Sequence, residues 1–167
     1  DSDYFLVTAH RSENVDNPLH LASIMEGLKQ LNKEHAKEII YPMHPRTQSK
    51  LGDLKVPAGI RIMNPLGFYD FHRLLIGCRC ILSDSGTASE EALFYRIPCV
   101  NLRMTTERPE TVEAGSNIIA GLNVDDIVEA VTTAITQKWC GRYELEEDFS
   151  PASVVVNCLR SRITNFF

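Results

Sequence analysis

The chain has 167 residues, 44% of them hydrophobic and 23% charged, with a formal net charge of −5. That length suits one domain with a single sizeable core, and an acidic chain without a Lys/Arg cluster excludes nucleic acid as the expected partner. No apolar run is long enough to span a membrane, so no membrane partner is expected either.

No secretory signal precedes the apolar run Tyr4-Phe5-Leu6-Val7. The lack of an opening Met suggests a piece of a longer protein. The five cysteines, Cys78, Cys80, Cys99, Cys140 and Cys158, have no paired spacing and read as free thiols in a reducing cytoplasm. Cys78-Arg79-Cys80 has no second pair to complete a zinc site, so it reads as small buried side chains.

Residues 4–9 are predicted as a strand. Residues 19–31 form a helix, because Leu21, Ile24, Met25, Leu28 and Leu31 share one face. A strand over 39–43 precedes a helix from about Arg46. Residues 60–63 follow as a strand, 71–76 as a short helix, 80–82 as a strand, 89–95 as a helix and 99–102 as a strand. After a polar loop come a brief strand at 118–119 and a helix over 124–135. Asp125 and Asp126 lie in the first turn of that helix, where its dipole favours them. A last helix is expected over 152–163, after Pro151. This alternation predicts an α/β fold, a doubly wound parallel sheet of Rossmann-like type, with ligands at the carboxyl ends of the strands.

Four polar clusters fall at those ends. In Leu82-Ser83-Asp84-Ser85-Gly86-Thr87-Ala88-Ser89-Glu90-Glu91-Ala92, a strand runs through small polar residues into a helix. The amides of Ser85, Gly86 and Thr87 would then face outward at a helix N-terminus, suiting a diphosphate. Glu91, about one and a half turns on, would reach a ribose diol. The same residues also suit a simple cap by Ser85 or Thr87 with Glu91 in solvent. The segment is neither a P-loop, a GxGxxG turn nor a GxSxG elbow.

Thr8-Ala9-His10-Arg11-Ser12-Glu13-Asn14 places a histidine, a cation and a carboxylate together. The plainer alternative is a surface loop in which Arg11 pairs with Glu13 and His10 is a bystander. In Tyr41-Pro42-Met43-His44-Pro45-Arg46 the two prolines present His44 rigidly. Arg103-Met104-Thr105-Thr106-Glu107-Arg108-Pro109-Glu110 reads alone as a solvated charged loop. Four such clusters at four strand ends favour one shared site over coincidence.

In order and spacing, His10-Arg11-Ser12-Glu13-Asn14, Tyr41-Pro42-Met43-His44-Pro45, Asp84-Ser85-Gly86-Thr87 through Glu90-Glu91-Ala92, and Thr106-Glu107-Arg108-Pro109-Glu110-Thr111-Val112-Glu113-Ala114-Gly115 resemble the C-terminal domain of the non-hydrolysing UDP-N-acetylglucosamine 2-epimerases. The match runs from about residue 4 to residue 122. The resemblance implies that residues 1–167 are the C-terminal half of a two-domain GT-B-type fold, with the N-terminal domain outside this chain.

The resemblance further implies that Ser85, Gly86 and Thr87 hold the diphosphate and Glu91 binds the ribose hydroxyls. Phe71 falls where the family contacts uracil, and His10, His44 and Arg108 where it lines the sugar and diphosphate. Arg11 and Glu13 take supporting roles. The implied chemistry is inversion at C2 by elimination and re-addition of UDP. It needs no metal or organic cofactor, and its acidic groups come mainly from the other domain, with His10 a contributor here. Other implied partners are the UDP-sugar and, for the intact protein, a second copy in a homodimer. The expected location is the cytoplasm and the expected role polysaccharide biosynthesis.

Thr87 stands where UDP-N-acetylglucosamine enzymes usually carry a second glycine, and Ser12 where some carry arginine. The Ser-Asp-Ser-Gly-Thr form resembles a branch acting on other UDP-2-acetamido sugars, including 6-deoxy and diacetamido-uronate ones. The competing readings are a glycosyltransferase donor domain, a hydrolysing epimerase and a non-catalytic nucleotide-sugar module. The loop around Thr106-Glu107-Arg108-Pro109 argues against the first.

Overall fold

The computed structural model describes residues 4–52 and 54–137, with isolated helical positions at Ala152, Val156, Leu159 and Arg160. Most of the helix expected over 152–163, and also Cys140 and Cys158, lie outside the described residues.

Strands β1 (Tyr4–Thr8), β2 (Glu38–Pro42), β3 (Ile60–Met63), β4 (Ile81–Ser83), β5 (Cys99–Asn101) and β6 (Asn117–Ile119) form one sheet in the order β3-β2-β1-β4-β5-β6. Every pairing is parallel, with Leu6 opposite both Ile40 and Ile81. The expected doubly wound α/β class is therefore observed. A parallel sheet is covered on both faces, which is why the central strands are apolar runs rather than alternating ones.

Phe5, Val7, Ile39, Tyr41, Leu82 and Val100 face a core made with α2 (Pro18–His35) and α7 (Val124–Thr136). Leu6, Ile40, Ile81 and Cys99 face a smaller core with α4 (Phe68–Gly77) and α5 (Gly86–Tyr95). Helix α2 starts where the Asn17 side chain accepts from the Leu19 amide at 3.0 Å and Pro18 takes the first helical position. It ends at Ala36 in the left-handed region, φ 51°.

The sequence placed the starts of α4 and α5 three residues late and missed α1 (Ser12–Val15) and α6 (Pro109–Glu113). Neither short helix has a side-chain cap. Asn14 ties α1 to distant residues, whereas α6 is held by bonds of Thr111 to Arg108, Ser116 and Asn117; at four and five residues neither helix is long enough for periodicity to reveal it. The remaining connection, α3 (Pro45–Lys50), begins close to the expected position.

Cys78, Cys80 and Cys99 are buried and unpaired. Burial pushes the thiols of Cys78 and Cys99 up to about 12 and that of Cys80 well above its usual value, so these sulfurs act as small apolar side chains. Among the described residues no helix is long and apolar enough to cross a membrane.

Gly59 enters β3 with φ 88°, and a methyl group there would lie 2.3 Å from Asn32 Oδ1. The Asn32 amide is committed to the Lys37 carbonyl at 2.7 Å and cannot withdraw freely. Gly52 also has positive φ, 51°, but faces open space. Gly59→Ala should therefore cost about 2–4 kcal/mol, strain plus overlap, and Gly52→Ala only about 1–2 kcal/mol from strain. Urea denaturation midpoints of the two variants will check the difference.

Candidate functional site

The sheet order places a topological switch point between β1 and β4, because the chain leaves β1 toward β2 on one side and returns to β4 on the other. Crevices of this kind, at the carboxyl ends of strands, are where open α/β sheets bind ligands. The loops after β1, β2, β4 and β5 all open on this edge.

Asp84, directly after β4, is wholly buried. Its carboxylate accepts from the amide of His10 at 3.0 and 3.1 Å, the amide of Arg11 at 2.9 Å and the side-chain amide of Asn14 at 3.0 Å. Asn14 also donates to the Leu102 carbonyl at 3.0 Å. Three strand ends, those of β1, β4 and β5, are tied at one carboxylate. From the other side, Tyr41 Oη and Thr47 Oγ1 donate to the Ala9 carbonyl at 2.7 and 3.1 Å. Burial pushes the Tyr41 phenol up, reinforced by the Asp84 charge, so it remains a donor.

His10 projects from this clamped loop, half exposed, with Nδ1 3.7 Å from Asp84 Oδ1. His44 lies beside it, ring centroids 6.3 Å apart. His44 Nδ1 caps α3 by accepting from the Arg46 amide at 3.2 Å, so in the neutral ring the proton sits on Nε2. Arg46 itself pairs with Asp16.

Helix α5 begins one residue beyond Ser85. Ser85 caps it, its Oγ accepting from the Ala88 amide at 3.5 Å. Here the structure corrects the sequence reading. The Ser85 amide does not point outward but donates to Ser83 Oγ at 3.0 Å. Among the described residues, the amides of Gly86 and Thr87 have no acceptor outside the helix, and first-turn amides have none within it. Arg108 lies across this N-terminus: a methyl group at position 86 would sit 3.6 Å from its Cγ. Its Nε pairs with Glu90 at 2.5 Å.

Glu91 is not turned to solvent. Its Oε1 lies 3.4 Å from His72 Nε2, with side-chain exposures of 26% and 11%. Phe71, partly buried, packs edge-on to His72 at 5.9 Å.

Arg11 and Glu13 do not pair with each other. Arg11 contacts Glu107 at 3.3 Å, and Glu13 accepts from Arg103 at 2.8 Å. Arg103 also donates to Glu107 at 2.6 Å, closing a chain of charges between the loops after β1 and β5. The Arg103 hydrogen bond is the main reason the Glu107 carboxyl is held down at about 2. The same bond raises Arg103 further.

All ten residues expected at the site lie on this edge of the sheet or on the helices flanking it. Sequence reasoning gave no role to Asp84, Asn14, Arg103 or His72. Asp84 and Asn14 stood inside the motifs, and a carboxylate ending an apolar strand was the available signal. His72 carried none, because only packing brings α4 beside α5.

The family model described as UDP-N-acetylglucosamine 2-epimerase matches residues 1–150. The chain is 42% identical over 144 residues to a UDP-N-acetylglucosamine 2-epimerase of Methanocaldococcus jannaschii, covering 83% of this chain and 39% of that protein. It is 36% identical over 132 residues to the UDP-2,3-diacetamido-2,3-dideoxy-D-glucuronate 2-epimerase of Pseudomonas aeruginosa, covering 79% and 37%. The crystal structure of the M. jannaschii UDP-GlcNAc 2-epimerase in complex with UDP-GlcNAc and UDP superposes with a TM-score of 0.82 at 38% identity, over 96% of this chain and 46% of that one. The chain thus spans less than half the length of these relatives.

Asp84→Asn removes the charge and turns an amide nitrogen toward donors. It should lower stability by about 2–4 kcal/mol in urea titration, whereas a change under 0.5 kcal/mol would mean that the clamp contributes little. The Glu107 carboxyl, followed by carbon NMR, should titrate near 2 and rise toward the ordinary carboxylate range in Arg103→Gln, with the lowering by its backbone hydrogen bond and Arg11 retained. Since its folded value is depressed, the linkage it contributes is present above the ordinary carboxylate range and is lost as pH falls toward 2.

Proposed function

Because the chain belongs to the UDP-N-acetylglucosamine 2-epimerase family, we propose that it forms the nucleotide-binding half of an epimerase inverting C2 of a UDP-2-acetamido sugar. The observation that carries this reading is the convergence over Gly86 of two unbonded amides and the Arg108 side chain. Glu91 lies about one and a half turns further along the same helix.

In this reading the amides of Gly86 and Thr87, the Ser85 hydroxyl and Arg108 hold the diphosphate. Free donors at a helix N-terminus and a guanidinium both complement phosphate oxygens. A bound diphosphate competes with Glu90 for Arg108. Glu91 accepts from the ribose hydroxyls, and Phe71 lies against uracil. His10 and His44 line the sugar, and His10 exchanges a proton during the reaction. Arg11 and Glu13 hold the loops through Glu107 and Arg103.

The chemistry is elimination of UDP and its re-addition after the proton returns from the opposite face, which needs acid–base groups on both faces. This chain stabilises the departing diphosphate, and the remaining acids come from a second domain, which together with this one makes a GT-B-type cleft. The intact protein works as a homodimer in the cytoplasm, supplying a sugar for surface polysaccharide. The similarity to the diacetamido-glucuronate enzyme leaves the substrate class as UDP-2-acetamido sugars rather than one member.

Calorimetric titration tests the assignment. The chain should bind UDP saturably and prefer it to ADP. Glu91→Ala should weaken binding roughly tenfold, the effect of one or two hydrogen bonds to a charged group. Equal affinity for ADP, or an unaffected Glu91→Ala variant, would overturn the assignment. Epimerisation by this chain alone would overturn the need for a second domain.

A further inference from the structure

His72 stands in an enclosure that the proposed chemistry leaves unused. Its ring lies against Phe68 at a tilt of 35° with centroids 3.9 Å apart and meets Phe71 and Tyr95 edge-on at 5.9 and 5.8 Å. Nδ1 lies 2.8 Å from the Phe68 carbonyl. A carbonyl can only accept, so Nδ1 carries a proton. Nε2 is then the atom facing Glu91 Oε1 at 3.4 Å.

In a neutral ring that nitrogen would turn a lone pair toward a carboxylate, two acceptors in a half-buried site. A second proton converts the contact into a charge-assisted pair. The close, tilted Phe68 ring also favours a cation. Among the described residues, the titratable groups facing the ring are Glu91 and Tyr95, both on α5. On α4 itself the neighbouring Asp70 and Arg73 are exposed and form no ion pair with it.

We infer that His72 is a positioning residue for Glu91: its protonated ring holds one carboxylate oxygen against α4 and presents the other to the ribose diol, so uridine binding strengthens as the ring gains its proton. This rests on the ribose role proposed for Glu91. A carboxylate has about four lone-pair sites, so the oxygen bonded to His72 can still accept from a hydroxyl. The sign follows from linkage. Ligand bound through an oriented Glu91 favours the protonated ring, and by reciprocity binding takes up a fraction of a proton near the ring's titration.

UDP-N-acetylglucosamine is the suitable probe, because both of its phosphates are esterified and neither titrates near neutrality. Its affinity for the chain should be roughly three- to tenfold higher on the acid side of the ring's protonation than on the alkaline side. His10 and His44 are ionisable groups at the same edge, so the informative comparison is with His72→Gln. That amide can donate to Glu91 without titrating and should keep the low-pH affinity while losing this step of the profile. His72→Leu should bind roughly three- to tenfold more weakly at low pH, having lost one charge-assisted hydrogen bond. In a Glu91→Ala background neither change at position 72 should matter. A His72→Gln profile superimposable on the wild type, or losses that add to that of Glu91→Ala, would overturn the inference while leaving the ribose assignment intact. An unaffected Glu91→Ala single variant would remove both.

Discussion

The carboxylate of Asp84, without solvent contact at the end of β4, is the constraint on which the cleft depends. A bare charge in that position would cost several kcal/mol. Two backbone amides and the Asn14 side chain offset it by converging on the two oxygens. Satisfying the charge therefore requires the loop after β1 to fold back over the start of α5. His10, Arg11 and the α5 N-terminus become one rigid unit, with Asn14 extending it to β5 through the Leu102 carbonyl. The short helix α1 exists because of the same bonds, since it has no cap of its own.

Charge around the cleft follows a consistent pattern. The whole chain is acidic, yet the cations at this edge are not free. Arg103 and Arg11 share Glu107, Arg103 also holds Glu13, and Arg108 holds Glu90. The exposed members of these pairs contribute little to stability, as surface ion pairs generally do. Their effect is to set the directions of long side chains on two loops that β-pairing alone would leave undetermined. Arg108 differs from Arg103 in being more exposed, 37% against 9% for the side chain, and in lying over an α5 N-terminus that still has two unbonded amides.

The fold class was legible because its signals are local and repeated. Short apolar runs alternate with helical periods, and Asn17, Pro18 and Asn123 mark helix starts by chemistry that operates within a few residues. Boundaries failed at Ser12–Val15, which the long-range bonds of Asn14 hold, and at Pro109–Glu113, whose five residues are too few to show a period. The ordered motifs were enough to indicate the family, and their polar residues gather at the carboxyl ends of the strands.

Sequence by itself determined the parallel α/β architecture, the edge of the sheet at which its polar motifs gather and the residue types found there. Hydrophobic periodicity and strand-end polarity are properties of neighbouring residues. Tertiary structure alone decided which partner each polar group took. The Ser85 amide turned inward to Ser83, Arg11 and Glu13 bypassed each other for partners more than 85 residues away, and His72 met Glu91 across two helices. Those choices follow from the requirement that buried and half-buried polar groups find hydrogen-bond partners in three dimensions, and sequence distance has no bearing on which partner comes within reach.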